Sequence, residues 1–463
     1  MPFRWIAVVT GVLVPALGIL PAQQAVKQAA LTLTQAVESA IKNYPSIRVS
    51  QEQINAAAAG IRLARAAYLP RVDAVAQVNR ATRNNVLGML LPQSVIPSIS
   101  GPVLGTNNLG SVWGSAAGVL VSWEPFDFGL RHANVAAAAA ARAQSEAAFK
   151  RTEFDIVVAT ADAYLTLAAA QETVRAAQAA VERADTVART TAALVGAELR
   201  PGADASRAQA ELAAARTQFV QAEQAVAVAR ANVSQFVGIE PAQITISAPG
   251  LLRLPPEHEI QALDTASNPI AVEQNAALEQ TRAQLRILER SYFPRFSLMG
   301  AAYARGTGAE IDGRRLGGLN GLAPTVQNYA LGFSVTFPML DLPSIRAREA
   351  AQSATIRAQA ARSDQIATDL RAKWNAAVAS LEGSRRIAAN TPVQVSAARA
   401  ATEQANARYQ SGLGTIDQLA EAQRLLTQAE IDDALARLGV WRGLLGVAAA
   451  AGDIQPFLAE AAR

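Results

Sequence analysis

The chain has 463 residues, of which 51% are hydrophobic and only 5% aromatic, because alanine supplies much of the apolar share. That composition does not build one thick core of large side chains; it suits helices packed closely side by side. The 42 basic and 38 acidic residues are interspersed and leave a net charge of +4, which lacks the clustered Lys/Arg footprint of a nucleic-acid partner. Cysteine is absent, excluding disulfides, thiolate metal sites, cysteine nucleophiles and a lipidated N-terminal cysteine. The two histidines, His132 and His258, lie far apart, so a transition-metal site would have to be all carboxylate. Neither sits in a recognisable catalytic motif, and no cofactor is implied.

The chain opens on MPFRWIAVVTGVLVPALGILPA, with Arg4 ahead of an apolar run from Ile6 to Leu20 that Gly11, Pro15 and Gly18 interrupt. This pattern predicts a secretory signal peptide over residues 1–22, with cleavage after Ala22 or Ala25. No later stretch shows the roughly 18 uninterrupted apolar residues of a membrane helix, so membrane insertion is expected by β-strands.

The mature chain repeats itself. "NYPSI" and "AYLPRV" carry Pro45 and Pro70, and "SNPIA" and "SYFPRF" carry Pro269 and Pro294, an offset of 224 in each case (45 to 269, 70 to 294). "WEPFDFG" and "FPMLDLP" align Asp127 with Asp341 at an offset of 214, and "GADASRAQAEL" answers "TIDQLAEAQRLL". Ordered landmarks at a nearly constant offset indicate duplication. The expected units are a first repeat at 31–237, a linker at 238–267, a second repeat at 268–452 and a tail at 453–463.

Each half changes periodicity in the same order. Residues 46–67 and 270–291 read as helices ended by a Tyr-x-Pro boundary. Period-two alternation follows, clearest in Tyr329, Leu331, Phe333, Val335 and Phe337, and weaker over 71–81, 115–123 and 295–304. The stretches 83–112 and 305–327 between the strands read as loops; the second is glycine-rich but lacks the GxxxxGK[ST] of a phosphate loop. Long helices are then predicted from Leu130 to Val195 and from Ser344 to Gln410, each roughly 100 Å at about 1.5 Å per residue, with Pro392 expected to kink the second. Returning helices occupy about 203–237 and 415–450. Narrow apolar stripes along these helices predict coiled-coil packing.

Four strands are too few for a closed membrane barrel, which needs about eight, and an open sheet in lipid leaves its edges unsatisfied. Identical copies must then pool their strands, and three chains would supply twelve.

The order of "YPSI", "YLPRV", "FDFG", "YQSG" and "AEAQRLL", with its duplication, closely resembles the TolC-like outer-membrane efflux proteins from about Leu31 to Gly452. The resemblance implies an α+β membrane protein of two similar halves, each giving two transmembrane β-strands and long periplasmic α-helices. It implies a homotrimer whose 12-stranded β-barrel, seated in outer-membrane lipids of a Gram-negative-type bacterium, continues as an α-helical tunnel. The implied role is an exit channel that meets a periplasmic membrane-fusion adaptor and an inner-membrane pump of RND, ABC or MFS type, with no enzymatic step.

The resemblance also implies a gate at the periplasmic tips. Aligned on Tyr409, Gly412 and the Ala422–Gln423 pair, Glu421 matches one acidic ring position. The other falls on Gln418, with Asp417 beside it, and Asp204 matches the aspartate that pairs with the tip tyrosine, here Tyr409. The arginine that some members place two residues after the tip glycine is Gly414 here. Gly202, Gly412 and Gly414 are expected to form the tip turns, where positive φ or close backbone approach is required. Carboxylate rings favour cations, although Asp417 and Glu421 also suit a helix start through the macrodipole. A competing reading is an exported coiled-coil scaffold without channel activity, which would need no strands.

Overall fold

A computed structural model of the chain describes residues 30–81, 110–247, 249–257, 260, 262–310 and 314–462. The predicted signal peptide, most of the first loop and His258 lie outside the described residues; His132 is exposed.

In the first half, α1 (Leu33–Asn43) and α2 (Pro45–Ala66) lead into β1 (Arg71–Ala81) and β2 (Val112–Phe126), followed by α3 (Leu130–Gly196) and α4 (Gly202–Val237). Two short 3-10 turns, Pro241–Gln243 and Gly250–Leu252, precede the second half. There α5 (Pro269–Arg290), β3 (Arg295–Thr307), β4 (Val326–Thr336), α6 (Leu342–Gln410) and α7 (Ile416–Ala451) repeat the order, and α8 (Gln455–Ala461) closes the chain. The helix α1 escaped sequence reading because it is only 11 residues long; its Thr32–Gln35 capping box marks its start. Pro392 lies inside α6 without ending it. Both strands flanking the second loop run further than alternation alone indicated, to Thr307 and from Val326.

The strands form one antiparallel sheet in the order β1-β2-β3-β4, so the two repeats meet at β2 and β3 while β1 and β4 are edges. Register places Val72, Val121, Gly300 and Leu331 in one cross-strand row and Trp123, Leu298 and Phe333 in a neighbouring row on the same face. That face is apolar yet open: Leu331 is 82% exposed and Phe333 64%. The opposite face carries Arg71, Asp73, Ser122, Ser297, Ser334 and Asn328, because side chains alternate across a strand. A sheet with its large apolar side chains turned outward and its polar ones inward is patterned for lipid outside and water inside. At the helical end, Phe126, Phe128, Phe293, Phe296 and Phe333 pack with ring centroids 4.6 to 6.1 Å apart.

The sheet passes into α3 through a turn built by Asp127. Its carboxylate accepts hydrogen bonds from the Gly129 N–H at 3.1 Å, the Arg131 N–H at 2.7 Å and Arg131 Nε at 2.8 Å. Burial acts to raise the Asp127 pKa, but the hydrogen bonds from Arg131 and Gly129 and the Arg131 charge together outweigh it and leave it lowered. Phe128 and Gly129 both take positive φ (51° and 89°) to make the corner. The corresponding corner in the second half uses Pro343 in place of Gly129, and Asp341 makes no side-chain cap.

The main hydrophobic core lies partway along the helices, where α1, α3, α4, α7 and α8 meet. Val157, Ala161, Tyr164 and Ala168, at helical spacing along α3, are buried there with Val233, Leu438, Trp441 and Leu445. Residues 455–461 add to this core through Phe457, 6.3 Å from Trp441 between ring centroids. Helix α7 is long and apolar enough by composition alone to cross a membrane, although Arg437 and Arg442 interrupt its apolar residues. Leu438, Val440, Trp441 and Leu445 from this helix are buried in the protein, which accounts for its apolar character.

Candidate gate at the helical tips

Two helical hairpins, α3–α4 and α6–α7, turn at the end of the molecule remote from the sheet. The turns are the same Schellman motif, repeated at an offset of 214. In the first, Glu198 N–H reaches Val195 O at 3.0 Å and Leu199 N–H reaches Leu194 O at 2.9 Å. In the second, Gly412 N–H reaches Tyr409 O at 3.2 Å and Leu413 N–H reaches Arg408 O at 2.9 Å. Satisfying the last carbonyls in this way requires a left-handed residue just past each helix.

Gly412 fills that position in the second turn with φ 83°, as its sequence predicts. Gly202 does not fill it in the first. It is the first residue of α4, has ordinary φ, and a Cβ there would meet nothing within 4 Å. Glu198, at φ 59°, is the left-handed residue instead. Repeat arithmetic explains the correction, since 198 and 412 are equivalent and Gly202 corresponds to Ile416. Gly414 has negative φ and is needed for space: a Cβ would lie 3.2 Å from Arg408 Cβ and from the Tyr409 nitrogen.

The hairpins are joined by a small core of Ala184, Ala188, Ala208, Leu212, Tyr409, Ile416 and Leu419. Tyr409 is 2% exposed, and its hydroxyl lies 3.2 Å from Thr191 Oγ1 and 3.4 Å from Asp204 Oδ2. The structure therefore brings together the Tyr409–Asp204 pair that the sequence singled out and adds Thr191. It also places the Arg200 guanidinium over the Tyr409 ring, 4.5 Å from the centroid. Neither Thr191 nor Arg200 was legible from motif spacing, although the offset of 214 puts Arg200 at the position of Gly414.

Asp417, Gln418 and Glu421 occupy the first turns of α7, with distinct local roles. Gln418 closes a capping box with Thr415: its N–H donates to Thr415 Oγ1 and its Oε1 accepts from Thr415 N–H, both at 3.4 Å. The glutamine at this point in the chain thus has a local structural use, signalled by the Thr-x-x-Gln spacing. Asp417 and Glu421 have largely exposed side chains, 70% and 74%, and each meets an arginine. Arg207 Nε lies 3.3 Å from both Asp417 and Glu211, and Arg424 lies 3.2 Å from Glu421 and 3.8 Å from Glu211. Three carboxylates and two guanidiniums form a ladder from α4 to α7. Exposed pairs of this type hold roughly 0 to 1 kcal/mol each, so the ladder tunes local charge more than it fixes the fold.

The sequence pattern of the outer membrane efflux protein family matches residues 36–239 and 265–453, one span for each repeat. The chain belongs to that family. It is 30% identical over 226 residues to Protein CyaE of Bordetella pertussis, a match covering 48% of this chain and 43% of CyaE. The chain thus matches less than half the length of that curated relative. The Campylobacter jejuni CmeC outer membrane channel aligns over 100% of this chain and 98% of its own at a TM-score of 0.73 and 16% identity. The Neisseria gonorrhoeae MtrE outer membrane channel, solved in its open state, aligns over 91% and 89% at 0.68 and 18% identity. At such identities the likeness establishes the fold, that of outer-membrane channels with a helical part extending from the sheet. An outer membrane efflux protein is a channel component of the outer membrane, and its family and fold are those of channel proteins.

Proposed function

We propose that this protein is the passive outer-membrane exit duct of a tripartite efflux or secretion system, working as a homotrimer. The observation that carries the reading is the four-stranded sheet, apolar and open on one face, polar on the other, with both edges free in a single chain. Pairing β1 of one copy with β4 of the next in a ring of three closes a 12-stranded barrel and leaves no edge in lipid. The helices of the three chains then continue the wall as a tunnel. A periplasmic adaptor and an inner-membrane pump are the partners that membership of the family implies at the tips, and substrates pass without chemical change.

The tips, with Tyr409, Asp204, Gln418, Asp417 and Glu421, are the proposed gate. The buried Tyr409 hydroxyl next to Asp204 supports a closed arrangement in which the second hairpin is held against the first. The capping and macrodipole roles of the α7 start are compatible with this use, because the same carboxylates face outward from the helix end.

Outer-membrane extraction followed by planar-bilayer recording tests the assignment. The channel reading expects a heat-sensitive trimer that gives discrete single-channel conductance. Recovery solely as soluble periplasmic rods would overturn it in favour of the coiled-coil scaffold, against which the lipid-patterned sheet already counts.

A further inference from the structure

We infer that Arg200 is the clamp that holds the tip of the second hairpin onto the first within a single chain. The inference rests on the tip being the gate and names the residue that keeps it shut. Three attractions converge on this side chain. Its guanidinium covers the Tyr409 ring at 4.5 Å, a cation–π geometry. Its Nη2 donates to the Tyr409 carbonyl, among the last carbonyls of α6. That carbonyl also lies at the negative end of the helix macrodipole, where a cation is favoured.

The local sequence prepares the contact. Arg200 follows the left-handed Glu198 by two residues, so the chain has just reversed direction. Pro201, the N-cap of α4, disfavours helical backbone at Arg200. Half-burial of Arg200 restricts water at the contact and strengthens both interactions.

The duplicated turns make the assignment asymmetric. The position equivalent to Arg200 in the second turn is Gly414, which has no side chain to return the contact. A residue larger than glycine there would press on Arg408 and on the Tyr409 nitrogen, disturbing the surface Arg200 grips. The first hairpin therefore supplies the clamp and the second supplies its seat. Tyr409 is held twice, by its ring and carbonyl through Arg200 and by its hydroxyl through Thr191 and Asp204. The two grips are separable by mutation, since phenylalanine keeps the ring and the carbonyl.

The chain has no cysteine, so Leu199→Cys and Leu413→Cys, at exposed and equivalent places in the two turns, accept a pair of spin labels without background. In the reconstituted full-length trimer, Arg200→Ala is expected to lengthen and broaden the distance between these labels and to raise closed-state conductance several-fold. Arg200→Gln keeps a donor for the carbonyl but loses the cation, and is expected to fall between wild type and alanine. Tyr409→Phe is expected to leave the distance nearer to wild type than Arg200→Ala does. An unchanged distance distribution in both Arg200 variants would overturn the clamp, whatever the conductance. A distance that opens in Arg200→Ala with no change in conductance retains the contact but removes it from gating. Failure of wild type to conduct at all would sink the channel reading separately, with the distance measurement still deciding the clamp.

Discussion

Arg207 of the first hairpin and Asp417 of the second face one another 3.3 Å apart, guanidinium to carboxylate. The acidic tip positions are therefore matched by cations from the same chain, which in the proposed gate would partly cancel their pull on entering ions. Removing the cation should expose it. Arg207→Ala is expected to strengthen block of single-channel current by divalent cations a few-fold, and Asp417→Ala with Glu421→Ala to weaken it, both measured in planar bilayers at low salt. Equal block in all three proteins would remove these carboxylates from the conduction path.

Glu198 carries the left-handed backbone that glycine carries at the equivalent Gly412. A left-handed non-glycine residue costs about 1 to 2 kcal/mol, so Glu198→Gly should stabilise the first tip by about 1 kcal/mol after the entropy of glycine is set against it. Slower amide hydrogen exchange around residues 196–200 would register the gain. Gly412→Glu should do the reverse at the second tip.

Tyr164 is fully buried at the middle of the molecule, and its hydroxyl makes contacts of 2.9 Å to Leu31 O and 3.0 Å to Ser247 O. Burial pushes its pKa up to about 12. Because the folded value exceeds the unfolded value near 10, the neutral tyrosine contributes stability below about pH 10, and this is lost as pH climbs towards 12. Tyr164→Phe is expected to cost about 1 to 3 kcal/mol at neutral pH, since the one O–H that the two buried carbonyls share is lost. The variant should also lose part of the alkaline decline in thermal dissociation temperature.

Leu331 and Ser334 lie on opposite faces of β4. Leu331→Arg places a charge on the lipid side and is expected to destabilise the barrel by about 2 to 4 kcal/mol if it lies near the bilayer midplane. Heat-resistant trimer in membrane extracts should fall accordingly. Ser334→Arg, on the water side, should leave trimer yield intact and alter ion selectivity instead.

The repeat, the four strands and the long helices were legible because they rest on periodicity, proline boundaries and ordered landmarks, whereas the candidate pair Tyr409–Asp204 came from the resemblance to the family. The glycine rule worked at Gly412 and failed at Gly202, where counting glycines obscured the true equivalence of Glu198. Helix α1 was missed for its length, and residues 453–463 read as a plain tail although Phe457 is buried in the core. Arg200 and Thr191 carry no local motif, and each acquires its role from Tyr409. Arg207 and Arg424 each have a carboxylate of their own helix, Glu211 at i+4 and Glu421 at i−3, and packing adds Asp417 and Glu211 from the facing helix.

What the sequence determined by itself was the order of elements and the face each one buries, since alternation and helical stripes are properties of neighbouring residues. Tertiary structure alone decided which cation meets which carboxylate and which ring, because Arg200 and Tyr409 stand 209 residues apart. Stretches so distant in sequence come together only through helix packing, and no spacing rule along the chain encodes the result.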